Sequence, residues 1–409
     1  MFDTVIVGAG ASGLAAAGGA AKGGSVLVID SNEKAGKKLY ITGKGRCNLT
    51  NDCEPREFFA NVVHGAKFLQ SAIYRFPPLY TIRLCESLGL RVKTERGNRV
   101  FPVSDKSSDV IKTLVKFAES GGARLRFSCK AARIDRQEDR FEIVLCGGER
   151  IECKNLVLAC GGKSYSSTGS TGDGYKFASA LGHSIVPLAA ALVPIRLKQS
   201  VKALEGLSLK NVGVEIVGRG FKESRFGELL FTADGVSGPT ALTLSSLVNR
   251  CDLNGAKLSI DLKPALSEEK LDIRILSDFK KYSNKQLKNA LFDLLPRSLV
   301  PYIISYCGLN AEKAVNVMTK RERGTLLKAL KSFAFDIDGL YDTEYGIVTA
   351  GGIDLKEVDP STMESRKVKG LYIVGEMLDA DALTGGFNIQ IALSTGFTAG
   401  EAIGGRYDG

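Results

Sequence analysis

The chain contains no Cys-x-x-Cys pair and no internal repeat, it has only two histidines, His64 and His183, and no apolar run approaches the ~18–20 residues that a membrane helix needs. Its nine cysteines, at positions 47, 53, 85, 129, 146, 153, 160, 251 and 307, make an odd set. That count and spacing point away from a disulfide framework or a zinc site and toward a reducing compartment. The Ala- and Gly-rich stretch 5–21 imitates a signal peptide, but Asp3 is the only charge ahead of it, so the basic n-region is missing. A cytoplasmic protein without membrane or metal site is expected. Hydrophobic residues at 44% and charged residues at 24% exclude disorder, collagen and coiled coil. The 409 residues suggest two or three domains of roughly 100–200 residues each. Nothing in the pattern specifies an oligomeric state.

Glycine is plentiful, 46 residues against 11 prolines, and sits in short runs beside apolar stretches, which suits close backbone approach to a ligand. Phe2 to Val7 reads as a buried strand, followed by Gly-Ala-Gly-Ala-Ser-Gly, an Ala-rich helix to Ala21 and a second strand from Ser25 to Asp30. That order opens a βαβ unit with a parallel sheet. Apolar residues at helical spacing predict a helix over 107–120. Segments 123–127, 131–136, 141–146 and 149–153 read as a β-meander, and 155–160 as another buried strand. Beyond Pro187, strand-like pieces at 193–197, 212–217, 228–232 and 257–262 precede a helical stretch over 267–333, with Ser283-x-x-Gln286 as a capping box. A strand at 370–374 and a helix at 389–403 close the chain.

The expected fold is therefore α/β, a Rossmann-type dinucleotide-binding domain interrupted by an insertion. Residues 1–190 and 338–409 form its two parts, 191–265 a β-barrel-like piece and 266–337 a helical piece. The segment 191–335 holds 23 Lys and Arg against 14 Asp and Glu, so it carries nearly all of the overall +10. Lys280, Lys281, Lys285, Lys288, Lys320, Arg321, Arg323, Lys328 and Lys331 are candidates for one basic face toward a polyanion, and a solvated helix surface is the alternative.

Gly8-x-Gly10-x-x-Gly13 lies between strand and helix, the context that gives this motif its meaning. The first glycine permits a tight turn, the second lets a pyrophosphate approach the backbone, and the third lets helix pack on strand. Asp30 ends the next strand, placed for a ribose hydroxyl pair and disfavouring a 2′-phosphate, so FAD or NAD is expected rather than NADP. FAD is preferred because of a second cluster. Gly375-Glu376-x-x-Asp379 follows the last strand, and Gly385-Gly386-Phe387-Asn388-x-Gln390 opens the last helix, whose positive N-terminus suits charge on a reduced flavin ring.

The blocks Gly36-Lys37-Lys38-Leu39-x-x-Thr42-Gly43-x-Gly45-Arg46-Cys47-Asn48-Leu49-Thr50-Asn51, Gly169 to Tyr175, Thr349 to Ile353 and Gly375 to Gly400 closely resemble bacterial FAD-binding oxidoreductases of the dehydro-bile-acid reductase and aminoacetone oxidase type. The resemblance spans essentially the whole chain. It implies an FAD domain of the glutathione-reductase type, and a cofactor set of Gly8, Gly10, Ser12, Gly13, Asp30, Lys38, Thr42, Gly45, Arg46, Asn48, Gly161, Gly375, Glu376, Asp379, Gly386, Phe387 and Asn388. The activities it implies differ among themselves: reduction of a steroid C=C, oxidation of a small amine, and dihydrouridine synthesis in ribosomal RNA. Lys163-Ser164-Tyr165 departs from many relatives in lacking a proline after Gly-Gly.

No second strand–GxGxxG–helix unit is present, because Gly161-Gly162 lacks the spacing and Gly218-x-Gly220 precedes no helix. NAD(P)H is thus expected to dock transiently as reductant. Reducing a carbonyl-conjugated C=C needs a hydride, a proton donor and stabilisation of enolate charge. In the loop that the resemblance places near the flavin, Arg46 is the expected anion stabiliser, Asn48 the orienting group and Cys47 the acid; a packed thiol is the alternative for Cys47. Tyr40 and Tyr165 are weaker acids, and His183 reads as a helix C-terminal cap. Three readings follow: a reductase of uridine in structured RNA, a small-molecule enone reductase or amine oxidase, and a flavin-containing RNA-binding factor without relevant catalysis.

Overall fold

The computed structural model describes residues 1–20 and 24–405. They form two compact units, Met1–Ala191 with the chain from Asp342 onward, and Leu192–Tyr341.

In the first unit the strand Phe2–Val7 pairs in parallel with Val26–Ile29 on one side and Arg150–Leu158 on the other. Leu371–Ile373 joins Arg150–Leu158 in parallel, while Arg140–Leu145 and then Ala131–Gln137 add an antiparallel edge. Arg124–Arg126 differs from the expected meander. It pairs in parallel with Val26–Ile29 and forms the opposite edge of this seven-stranded sheet. The expected strands at 149–153 and 155–160 are one strand, because its first half is bonded to an antiparallel neighbour and its second half to parallel ones. Central strands Phe2–Val7 and Val26–Ile29 are apolar and β-branched and become buried, as a sheet covered on both faces requires.

The turn out of the first strand uses its glycines differently. A Cβ on Gly8, where φ is +115°, would stand 2.3 Å from the Ala159 carbonyl oxygen, and one on Gly13 would stand 1.8 Å from that of Gly8. At Gly10 a Cβ would meet nothing within 4 Å. The first helix is Ala11–Ala20; Ala21, where the sequence reading ends it, lies outside the described residues. Small residues bring the last helix, Phe387–Ile403, against it in the same sense. A Cβ on Gly396 would lie 2.1 Å from the Ser12 carbonyl oxygen and one on Gly400 2.3 Å from that of Ala16. Phe387 precedes Gly396 by nine residues, so at 1.5 Å rise per residue the last helix begins about 13 Å beyond the start of the first.

The second unit is a closed barrel in the order Ile195–Leu197, Gly235–Ser237, Phe221–Phe231, Ser208–Gly218, Lys257–Asp261 and Phe333–Leu340. The closing strand, Phe333–Leu340, follows the helical stretch in the chain, so a boundary at 265 does not separate barrel from helices. Barrel residues such as Phe335 share one apolar core with Leu271, Ile303 and Leu326 from the helices. The capping box at Ser283 is absent, because Gln286 is itself the residue before the helix Leu287–Ala290 and gives it no side-chain cap. Ser267 caps the helix Glu268–Lys281, and Thr319 with Glu322 forms a capping box on Lys320–Lys331.

Of the nine residues of the expected basic face, four are paired with acids, and Lys280, Lys285, Lys320, Arg321 and Lys328 have no acid partner among the described residues. Lys281 is bonded to Asp293, Lys288 to Glu312, Arg323 to Asp272 and Lys331 to Asp261. Two further acids, Asp336 and Asp338, also fall inside this unit, reducing its excess to 23 basic against 16 acidic residues.

Candidate cofactor and substrate site

Around the first glycine turn the sequence-predicted residues converge. Asp30 accepts the Ala9 amide at 2.7 Å through one carboxylate oxygen and the Asn32 amide at 2.8 Å through the other. A carboxylate has about four lone-pair sites, so acceptor capacity remains for a sugar hydroxyl. Gly375, at φ +70°, lies so near Ser12 that a Cβ would stand 2.6 Å from its hydroxyl oxygen. Gly161, at φ +76°, passes close to Ser170.

Lys38 donates to both Glu376 oxygens, at 2.9 and 2.7 Å, and to the Ser164 hydroxyl at 2.7 Å. The Ser164 hydroxyl and the Thr349 amide also donate to Glu376, at 3.1 and 2.9 Å. Burial by itself would raise the Glu376 carboxyl, but the Lys38 charge and these hydrogen bonds outweigh it and hold the group below its ordinary value. The acceptor capacity of Glu376 thus goes to protein donors, and what it positions directly is Lys38, Ser164 and Thr349. Asp379, half-buried, donates its amide to the Ile353 carbonyl at 3.2 Å.

The loop after the helix Lys37–Ile41 is conformationally unusual. Gly43, Lys44, Gly45 and Cys47 all have left-handed φ, between +56° and +84°, a backbone state that non-glycine residues hold only when their surroundings impose it. The Thr42 hydroxyl donates to the Leu39 carbonyl and its own carbonyl accepts the Cys47 amide. Cys47 is 0% exposed, in the main core, and burial pushes its thiol up to about 11 despite a hydrogen bond with Thr42. Arg46 is stacked on Phe101 at 4.2 Å and bonded to Glu95 and Asp105. Asn48 keeps a buried side-chain oxygen without a partner.

A cleft of about 520 Å³ opens beside this loop. Its lining includes Asn48, Asn51, Asn98, Arg99, Phe101 and Phe387, with Glu57 as its carboxylate. Cys47 and Arg46 are not in that lining. Of the expected catalytic residues, Asn48 alone faces the cleft, while Cys47 packs beneath the loop and Arg46 turns to its carboxylates. Tyr40 is 52% exposed and lies near Lys34.

The last helix starts at Gly386, at φ +98°, with no side-chain cap. Its first amides are therefore available to a ligand, and the helix dipole favours negative charge there. Asn388 is committed to the backbone of Ala382, accepting its amide at 2.9 Å and donating to its carbonyl at 2.6 Å.

The sequence reading missed several residues that build this site. Asn51 donates one amide group to both the Gly97 and Gly385 carbonyls, each at 3.0 Å. Buried Gln390 accepts from Thr50 and Thr81 and donates to Phe76 and Ser394. His64 lies 2.6 Å from fully buried Asp381, whose second oxygen has no partner. The blocks Asn48 to Asn51 and Gly385 to Gln390 contained Asn51, Thr50 and Gln390, but nothing in the sequence signalled Thr81 or the pairing of His64 with Asp381. His183 does not cap its helix with its side chain. The imidazole is buried between Ser365, at 2.8 Å, and Glu357, at 3.1 Å, and burial lowers its pKa.

The residues present fit FAD. Gly10 leaves room where Gly8 and Gly13 have none, Asp30 stands at the turn, and an uncapped helix start lies about 13 Å further on, distinct places for a pyrophosphate and a flavin ring. Among the described residues no helix is long and apolar enough to cross a membrane, and no group of three or more His, Cys, Asp or Glu is arranged to hold a metal.

Comparison with known proteins gives the same frame. The chain is 31% identical over 410 residues to the Escherichia coli K12 ribosomal RNA dihydrouridine synthase, with 98% of each chain covered. It is 29% identical over 409 residues to the Clostridium scindens 3-dehydro-bile acid delta(4,6)-reductase, again with 98% of each covered. Among solved structures, the 3-ketosteroid-delta4-(5alpha)-dehydrogenase of Rhodococcus jostii shares the fold, with a TM-score of 0.51 at 15% identity over 98% of this chain and 96% of that one. The model of the HI0933-like protein Rossmann domain matches residues 2–402. The chain thus belongs to the HI0933-like Rossmann-domain family of FAD-binding oxidoreductases.

Proposed function

We propose that this chain reduces a carbonyl-conjugated C=C, with uridine of ribosomal RNA as substrate, NAD(P)H as electron donor and the cytoplasm as its location. The observation that carries the reading is the cleft beside the uncapped start of the last helix, where Asn48 and Asn98 stand among the aromatic rings of Phe101 and Phe387. Side-chain amides both donate and accept, which suits the alternating carbonyl and N–H edge of a pyrimidine, and aromatic faces suit its plane. The relatives named for dihydrouridine synthesis, at 31% identity over the full chain, support uridine over other conjugated carbonyls.

When bound and reduced by NAD(P)H, the flavin of FAD would supply the hydride. The cofactor positions are Gly8, Gly10, Ser12, Gly13, Asp30, Lys38, Thr42, Gly45, Arg46, Asn48, Gly161, Gly375, Glu376, Asp379, Gly386, Phe387 and Asn388, of which Asp30 holds the sugar and the amides at Gly386–Asn388 face the flavin. Asn48 orients the substrate carbonyl through its amide. Arg46, held by two carboxylates, stabilises charge at a distance, and Cys47 donates its proton only if the loop opens. Cys47→Ser tests this: slower substrate reduction with unchanged flavin reduction supports it, and equal turnover makes Cys47 a packing residue.

The deciding measurement is nucleoside mass spectrometry of ribosomal RNA from cells with and without the protein. Loss of dihydrouridine on deletion supports the reading. Unchanged dihydrouridine together with enone turnover by the pure protein favours the second reading, a small-molecule reductase. That alternative draws on the relative named bile-acid reductase and on the pairing of the insertion's charges. An RNA-binding factor without catalysis predicts RNA affinity and no turnover of either kind.

A further inference from the structure

We infer that the β-hairpin of Val92–Glu95 and Arg99–Pro102 receives the phosphodiester chain flanking the reacting nucleotide. The inference rests on the RNA reading above and assigns its contact surface.

Residues 91–99, Arg-Val-Lys-Thr-Glu-Arg-Gly-Asn-Arg, hold four basic residues and one acid. Part of that charge is neutralised locally. Lys93 pairs with Asp105 at 2.7 Å, and Arg46 beside it is bonded to Asp105 and Glu95. Arg96 and Arg99 are different. Both are exposed, no carboxylate among the described residues pairs with either, and Arg99 uses only its Nε, toward the Arg96 carbonyl at 3.0 Å. Its guanidinium lies 5.7 Å from the Phe101 ring centre, and its terminal nitrogens make no hydrogen bond within the described residues, which leaves a fork of N–H donors that can take two oxygens of one phosphate.

Position ties this pair to the chemistry. Arg99 is the cation in the lining of the cleft, with Gly97 and Asn98 beside it. The Asn51 amide group bridges the hairpin turn, at Gly97, to Gly385 immediately before the last helix. One side chain therefore ties the hairpin turn between Arg96 and Arg99, the latter lining the cleft, to the residue before the last helix's N-terminus. Opposing charges nearby are Glu57 in the lining and Asp52, whose carboxylate accepts from Thr94. They confine the positive field to the hairpin turn. In the insertion Lys281, Lys288, Arg323 and Lys331 are tied to acids, and none of its basic residues lines the cleft.

The test compares the double variant Arg96→Gln, Arg99→Gln with the double variant Lys281→Gln, Lys288→Gln in the full FAD-loaded protein. The probe is unmodified ribosomal RNA transcribed in vitro, bound over a salt series. Each lost phosphate contact lowers the logarithmic salt slope by about 0.7–0.9, so the arginine variant should lose about 1.5 and the lysine variant nothing. The flavin spectrum and melting temperature identify misfolding, in which case Arg96→Gln alone is measured, with a loss of about 0.8 expected. If the parent binds and the arginine variants keep its slope, the hairpin assignment is overturned and the RNA reading stands. If the parent binds no RNA at low salt, the RNA reading itself falls.

Discussion

Alanine substitutions in the glycine turn separate folding from cofactor binding. At Gly10 the φ is outside the left-handed region and an added Cβ meets nothing within 4 Å, whereas at Gly13 it meets the Gly8 carbonyl oxygen at 1.8 Å. Backbone cannot yield as a side-chain tip does, so Gly13→Ala should cost the cofactor-free protein about 3 kcal/mol or more, the upper end of overpacking. Gly10→Ala should leave that protein unchanged or more stable by about 0.4–1 kcal/mol, through lost freedom of the unfolded chain. With FAD the order changes. At about a thousandfold excess over Kd a ligand contributes roughly 4 kcal/mol to stability, and Gly10→Ala should forfeit most of it, because its methyl occupies the space where a pyrophosphate meets the backbone. Thermal unfolding with and without FAD, and titration of flavin fluorescence, measure both quantities. The reasoning is refuted if Gly10→Ala keeps the parent's FAD affinity, or if its cofactor-free form melts as early as Gly13→Ala.

Three further outcomes are expected. Gln390→Leu should lower the urea midpoint by an amount equivalent to about 2–4 kcal/mol, since Thr50 and Thr81 lose their shared acceptor and buried unsatisfied groups cost about 1–3 kcal/mol each; an unchanged midpoint would show that the network relaxes. Lys38→Met should destabilise more at neutral pH than below the ordinary glutamate value of 4.5. In the parent the depressed Glu376 carboxyl contributes stability above that value and loses it as pH falls, whereas without Lys38 burial raises the carboxyl and the penalty grows as pH rises. A pH-independent difference in melting temperature would remove Glu376 as the linked group. Thr319→Ala should cost about 1 kcal/mol by removing the hydroxyl that accepts the Glu322 amide in the capping box on Lys320–Lys331, with flavin content unaffected; a loss of flavin on that substitution would contradict the division into two units.

The features that the chain declares locally are those whose cause is local. A β-branched run followed by Gly8, Gly10 and Gly13 needs no distant partner to specify strand, turn and helix, because steric limits act within a few residues. Asp30 is legible because the next strand must end beside that turn. The glycines of the last helix carried a signal, but their reason is tertiary: Gly396 and Gly400 are small because Ser12 and Ala16 lie against them. Segment type and segment partner also separate at Arg124–Arg126, where alternation signals a strand and only the sheet shows that it pairs in parallel with Val26–Ile29.

What tertiary structure alone decided is who meets whom. Charge counted along the insertion says nothing of Asp293, Glu312, Asp272 and Asp261 closing on their lysines and arginine, because ion pairs form through space. The barrel's closing strand is separated from the strands it pairs with by a whole helical stretch, so no local period could assign it. Cys47 stands in the motif beside Asn48, yet its left-handed backbone sends the thiol into the core while Asn48 lines the cleft. Adjacent residues share a sequence signal, and only the backbone conformation shows that Asn48 lines the cleft while Cys47 is buried in the core.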